Sequence, residues 1–562
     1  MKKLYFLIIA LLAINSAMAQ GCLPNGITFS TQGQINNFQS NYPGCTEIEG
    51  DVTIEESYSG AILNLNGLSV ITAIGGNLVI ENNNSLSHLA GLENLISIGK
   101  NLDISINNSL TSLAGLGNLT SVGGDDIFIY GNNSLLSISA LSGLTIINGN
   151  LLISYTALTK LTGLQNVTEI HGDCRIEENS DLNSLTGLDN LTSIGGWLNI
   201  EGSNLTNLSG LDNLNSIAGD FYISDNPELV SLTGLENLKL IGGVFYIVAN
   251  NSLPNFTGLS SLEFLFGDLY IVYNNSLNSL IGLEKLTSIG SAMYITENNS
   301  LKNLTGLEKL SSIEGLYVYN SDTLTSLKGL EGLTTIGRSL TIDNNGSLAS
   351  LTGLEGLISI GQGMNWDGIH IVDNNELTNL LGLSNVTSVK GSVYIGYYGT
   401  NSKLASLAGL DNIDDGTIDS LFISNNPLLS TCEVQCICDY LASPNGTTVI
   451  ENNASGCNNT EEVIIACQII GIQNIIQENK LSIFPNPSSN RFTIQFSLEN
   501  EEQVKLFVLN NLGQVVAIVA NETLSEGQHE LNWNAEGMPA GVHFYNIQIG
   551  NQAGTGKMVL MK

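Results

Sequence analysis

The stretch Ser184–Leu205, SLTGLDNLTSIGGWLNIEGSNL, decides how this chain folds. It reads in three parts: S-L-x-G-L, then x-N-L-x-S-I-G-G, then x-L-x-I before a polar corner. In each part apolar residues stand two or three apart and stop at a small or polar residue. No part is long enough for an amphipathic helix, and Gly195-Gly196 would break one. The phrase recurs about every two dozen residues. Aligned on its G-L step, glycine stands at 67, 91, 115, 163, 187, 210, 234, 258, 282, 306, 329, 353, 382 and 409, with Ala140 in the fourth place, which makes fifteen units. So short a period with three apolar segments reads as one coil of a parallel β-solenoid. Leu and Ile stack into an internal column. Pairs such as Asn274-Asn275 fill the corner, where Asn tolerates left-handed backbone and can bond the coils above and below. At one strand spacing per coil the fifteen coils predict a rod of about 70 Å.

The bulk numbers agree. A chain of 562 residues is too long for one ordinary core unless that core is a repeat. Hydrophobic residues are 43% and charged residues only 12%, so the polar surface must come from Asn, Ser, Thr and Gly. The net charge of -34 repels nucleic acid and anionic lipid, and keeps a long apolar object soluble.

The first twenty residues, MKKLYFLIIALLAINSAMAQ, read as a secretory signal peptide over 1–19, cleaved between Ala19 and Gln20. Its apolar run is too short for a transmembrane segment. Cys22 follows Ala19-Gln20-Gly21, a poor lipobox. In an exported chain cysteines are free to pair. Cys22 and Cys45 could staple an N-terminal cap over 20–44, in which Ile35 and Phe38 suggest a short helix. The solenoid is expected over 45–430. A Cys-rich C-terminal cap is expected over 431–467, where TCEVQCICDYLASP offers another short helix and Cys432, Cys438, Cys457 and Cys467 could form two bridges, leaving Cys436 odd. The C-x3-C-x-C spacing does not suit common zinc sites. Cys174 stands where other coils place leucine, so it is expected as a buried free thiol.

The segment GCTEIEGDVTI (Gly44 to Ile54) and the pattern GL-xNL-xSI-GG-xLxIxNN-xSL resemble receptor L domains, the leucine-rich β-helix modules of insulin- and EGF-receptor ectodomains, in the form of their bacterial members, often from Bacteroidota. The resemblance covers about residues 30 to 467. It implies a right-handed parallel β-helix and does not imply hormone binding.

After a linker expected over 468–480, the two-dozen period disappears. Short alternating strands separated by PNP, NNLGQ and MPAG turns argue for a small Ig-like β-sandwich over 481–562. Phe484-Pro485-Asn486-Pro487, Leu512-Gly513-Gln514-Val515-Val516, Met538 to Tyr545 and Gly556-Lys557-Met558-Val559 resemble the type A sorting domain of the type IX secretion system. That resemblance implies recognition by the secretion machinery, outer-membrane translocation, then removal of the domain with release or surface attachment. The fold class is therefore expected to be all-β: a capped solenoid of about fifteen coils followed by a sandwich.

Chemistry is sparse. The five histidines, His88, His171, His370, His529 and His543, form no H-E-x-x-H. G-x-S-x-G, P-loop, dinucleotide and nonapeptide calcium motifs are absent. The solenoid has two arginines, Arg175 and Arg338, and no coil groups carboxylates around either, as a β-helix polysaccharide lyase would need. No enzyme, cofactor or metal is expected. The informative column is the outward residue of the long strand: Thr53, Val79, Asp103, Phe128, Leu152, Arg175, Asn199, Tyr222, Tyr246, Tyr270, Tyr294, Tyr317, Thr341, His370, Tyr394 and Phe422. Eight of these sixteen are Phe or Tyr, against 6% aromatic overall, so composition alone does not explain the column.

Such a ladder can stabilise neighbouring strands by stacking alone, or offer a rigid amphipathic stripe to a glycan or cell-surface protein. Insertions at Gly361–Gly368 and Gly396–Ser402 put Trp366, Tyr397 and Tyr398 beside the stripe, or are drift in tolerant loops. The functional expectation is a secreted or outer-membrane-surface binding or adhesion protein. Its rivals are a structural spacer and a carbohydrate-active enzyme.

Overall fold

A computed structural model describes residues 20–57, 61–124, 126–364, 366–467, 481–510, 515–550 and 552–561. The signal peptide at 1–19, the linker at 468–480 and Leu512-Gly513-Gln514 lie outside the described residues. The fold is all-β: a parallel β-solenoid of about 18 turns, few helices, and antiparallel sheets at the C-terminus. The chain divides into two compact units, Met1–Leu377 with Leu381–Ser392, and Thr378–Leu380 with Val393–Lys562.

In the first unit each coil has a long strand, such as Leu269–Val272, and a short one, such as Ser288–Ile289. Each pairs in parallel, in register, with its equivalent one coil away. One coil buries Leu269, Ile271, Leu277, Leu280, Leu283, Leu286 and Ile289, none more than 3% exposed. These residues come from all three apolar segments of the repeat, which is why the segments must close on one another.

The turn count exceeds the fifteen repeats because terminal coils lack the G-L step. Ile27–Phe29 already pairs with Val52–Glu55, so the solenoid begins inside the segment expected to be cap. Helices Gln32–Asn36 and Phe38–Asn41 bury Ile35 and Phe38 and cover this end. The first helix starts on a capping box, Thr31 with Gln34. Cys22 is bonded to Cys45.

The G-L glycine is demanded twice over. Gly187 has φ +120, and a Cβ there would sit 2.1 Å from the Leu161 carbonyl oxygen of the preceding coil. Ala140 takes the glycine's place in a coil that turns through a 3-10 helix, Ser139–Gly143; Gly67 and Gly382 stand in like turns without the positive φ.

The corner differs from expectation in one respect. The left-handed residue precedes the Asn pair: Tyr273 at φ 57, with Ile106, Tyr155 and Ala249 equivalent to it. The first Asn is wholly buried and serves as a ladder rung. Asn274 Nδ2 donates to the carbonyls of Ile247 and Val272, and its Oδ1 accepts from the Asn250 backbone N–H. The rung is held by bonds that favour the strained residue before it, which is how bulky side chains persist there.

In the second unit, Ile418–Ser424 pairs in parallel with Thr448–Glu451, another turn without a G-L step. Helix Gln435–Ala442 packs here, with Cys432 bonded to Cys457 and Cys438 to Cys467. Cys436 is free and buried; in the first unit so is Cys174. Burial pushes both thiols up to about 12, so they stay protonated and inert. The C-terminal module has sheets of three and four antiparallel strands around Phe492, Phe496, Leu506, Trp533 and Tyr545. The Asn486 side chain donates to the Lys557 carbonyl and accepts from the Val559 N–H, clamping the last strand to the PNP segment.

Candidate functional site

Tyr222, Tyr246, Tyr270, Tyr294 and Tyr317 occupy consecutive coils in register. Their long strands place Leu, Phe or Met and Ile or Val in the core on either side, so alternation forces each tyrosine outward. Successive ring centroids lie 4.7, 4.5, 4.4 and 4.7 Å apart, with planes within 10° of parallel. Each ring is half-buried by its neighbours. The faces of the inner rings are therefore occupied, and what the column offers to solvent is ring edges and hydroxyls.

The rings lie over the residue two places earlier in the strand. The Tyr222 hydroxyl donates to Asp220 Oδ2 at 3.0 Å. A Cβ on Gly315 would collide with the Tyr317 ring. Asp220 and Asp268 also accept the backbone N–H of Val244 and Ala292 in the next coils, so both carboxylates brace the column from beneath. Burial, then the bond to Asp220 and its charge, pushes the Tyr222 hydroxyl up to about 12. Burial raises Tyr246 and Tyr270 as well, with Asp268 adding to it. Tyr294 is raised by burial, then by Tyr317 and Asp268, while the Arg338 guanidinium opposes the shift. At neutral pH these hydroxyls are protonated donors.

The column is bounded at both ends. Before it stands Asn199, and the exposed Trp197 ring lies 6.0 Å from Tyr222. After it Thr341 takes the place of a sixth ring, followed in register by His370. At this end Tyr319 stacks on Tyr317, with ring centroids 6.3 Å apart, and the inserted loop meets the Thr341 strand through its backbone. Ser339 Oγ donates to the Trp366 carbonyl at 2.7 Å, and His370 Nε2 lies 3.3 Å from the same oxygen. Burial holds the His370 imidazole below its ordinary value. Asp367 is buried, accepts the N–H groups of Gln362 and Met364, and pairs with Arg338 at 3.5 Å. The Trp366 ring is 78% exposed on a left-handed residue of φ 71.

The second unit has its own aromatic cluster. Tyr394 stacks on Phe422 at 4.6 Å, and Tyr397 from the inserted loop packs against both. Tyr398 lies 4.1 Å from Tyr397 and is 88% exposed.

Sequence reading missed Trp197, Asp220, Asp268 and Arg338. Asp220 and Asp268 were accessible to it: they stand two residues before a tyrosine, the same-face spacing of a strand. Trp197 has the same spacing, two residues before Asn199, while Arg338 reaches the column through packing that no local spacing encodes. Among the described residues no group of three His, Cys, Asp or Glu side chains could hold a metal ion. A shallow groove of about 400 Å³ lined by Ser276, Asn278, Asn299, Ser300, Lys302 and Thr323 contains none of the column's tyrosines.

These features define a class: a repeat protein built as a disulfide-capped parallel β-solenoid, carrying a separate antiparallel β module. Comparison with protein families matches residues 143–197 and 168–257 to the receptor L domain, and residues 482–561 to the secretion system C-terminal sorting domain. The L-domain match includes Tyr222 and Tyr246 and covers a narrower stretch than the repeat itself. No curated protein matches the chain. The sorting domain marks the chain for export, secreted or at the cell surface, and implies engagement by the secretion machinery. Among the described residues no helix is long and apolar enough to cross a membrane.

Proposed function

We propose that the exported solenoid is a non-enzymatic binding or adhesion protein that meets a glycan or a cell-surface protein along the tyrosine column. The observation that carries this reading is the column itself: five parallel rings, open along their edges and hydroxyls, with exposed indoles at Trp197 and Trp366. Tyrosine presents rigid area and a hydrogen-bonding hydroxyl with few rotamers to freeze. The inner faces are taken, so a sugar that stacks on a ring would use the terminal indoles and a longer partner would run along the hydroxyls. His370, and the separate cluster of Tyr394, Tyr397 and Tyr398, are proposed as further contacts. The sorting domain accounts for how such a protein reaches the outside.

The near-parallel stacking also favours a second reading, a spacer in which the rings only bind coil to coil. A glycan array and cell-surface binding assay on the secreted protein, run beside Tyr246→Ser/Tyr270→Ser/Tyr294→Ser, separates the two. Binding that disappears in the variant while circular dichroism stays native supports the contact surface. Absence of binding to every glycan and cell surface leaves the spacer. Release of reducing ends from a polysaccharide would replace both with an enzyme.

A further inference from the structure

The four-stranded sheet of the sorting domain is apolar on its inner face and, at one end, on its outer face, where Asn546 borders Phe507. Its inner face is core: Val504, Leu506 and Val508 on one strand, Tyr545 and Ile547 on the next. Alternation turns Phe507 and Leu509 outward, and Phe544 pairs with Leu509 across the ladder. On the other side Ile518 pairs with Phe507 and Val515 with Leu509. Val515 is 56%, Ile518 63% and Phe544 40% exposed. One end of the outer face is thus a contiguous apolar patch; the other end is polar, with Asn521 beside Lys505.

The charges on that face are of one sign. Lys505 lies on the Phe507 strand, and Lys557 pairs directly with Phe544. Among the described residues of these strands no carboxylate points outward on this face, in a chain with 52 acidic and 18 basic residues. A large apolar patch left open on a small sandwich marks a contact surface. Two copies meeting through it would bring like charges together, which disfavours self-pairing.

We propose that this face, with Phe507, Ile518 and Phe544 at its centre and Lys505 and Lys557 at its rim, is the surface by which the secretion machinery holds the sorting domain, and that its partner there is an apolar surface rimmed by carboxylates. The occupant follows from the family match, which assigns residues 482–561 to recognition by that machinery.

The full-length chain is expressed in a host that carries the secretion system, and extracellular and periplasmic fractions are compared. Ile518→Ser/Phe544→Ser and, separately, Lys505→Glu/Lys557→Glu are each expected to lower the extracellular fraction by about tenfold, the scale of one lost hot-spot contact. Asn521→Ser/Thr523→Ser, at the polar end, is expected to export normally. Normal export of both patch variants overturns the proposal. Should the serine pair unfold the domain, seen as a lost thermal transition, the lysine pair decides alone. If the wild-type chain sediments as a dimer that the serine pair makes monomeric with export unchanged, the face serves a second copy and the proposal fails.

Discussion

Tyr270 shows what one residue contributes. Its ring lies 4.5 Å from Tyr246 and 4.4 Å from Tyr294. An aromatic pair adds about 0.5–1.5 kcal/mol beyond area burial, so Tyr270→Ala is expected to destabilise by about 1–3 kcal/mol in urea unfolding. A double-mutant cycle with Tyr294→Ala should give a coupling of about 0.5–1.5 kcal/mol. A coupling near zero would mean the stack holds nothing together and would weaken the spacer reading. Alkali tests the same column. Tyr222 titrates near 10 when unfolded and at about 12 in the fold, so the folded state retains its proton longer. Stability is then full below pH 10 and falls as pH rises towards 12, since the unfolded chain ionises first. Absorbance at 295 nm should show phenolate appearing late, together with unfolding. At this scale the sequence was legible: the i, i+2 alternation that buries Leu269 and Ile271 leaves Tyr270 nowhere to go but out. The stacking was legible as well, since one strand spacing per coil puts successive rings within stacking distance; that their planes lie within 10° of parallel was not.

The element that sets register is the Asn rung. Asn274 is fully buried, and its side chain serves three bonds, two of them across coils. Asn274→Ala leaves two carbonyls and one N–H without that partner and is expected to cost about 2–4 kcal/mol in denaturant melts. Asn274→Asp should be worse and should deteriorate further as pH rises through the carboxylate range, because a charge would then face the Ile247 and Val272 carbonyls. Ser203 and Ser321 occupy equivalent rungs, and their hydroxyls still donate to the carbonyl two residues earlier, so Asn274→Ser should be milder than alanine. The recurring Asn pair was readable as a ladder. The left-handed residue before it was not, since Tyr273, Ile106 and Ala249 share no side-chain chemistry; the strain is carried by backbone geometry. Likewise nothing along the chain announces that the loop carrying Trp366 is tied to the Thr341 strand through Ser339.

For the whole molecule, export and the proposed ligand contact of the solenoid belong to different parts of the chain. Deleting Leu481 to Lys562 should leave the protein in the periplasm while the solenoid keeps its β-sheet circular dichroism; normal secretion of the truncated chain would refute the role of the sorting domain. The sequence by itself determined the solenoid, the separate C-terminal module and the outward tyrosines, because each follows from a repeat or an alternation short enough to be seen along the chain. It undercounted the turns, because terminal coils such as Ile27–Phe29 earn their place by pairing with a neighbour and not by repeating its G-L step. Only the tertiary structure decided that the stacked rings lie within 10° of parallel, that Trp197 bounds them, and that the sorting domain leaves an apolar patch with two lysines open. Those features join residues a coil or more apart in sequence, and they exist only once hydrogen-bonded strands have fixed the distance between them.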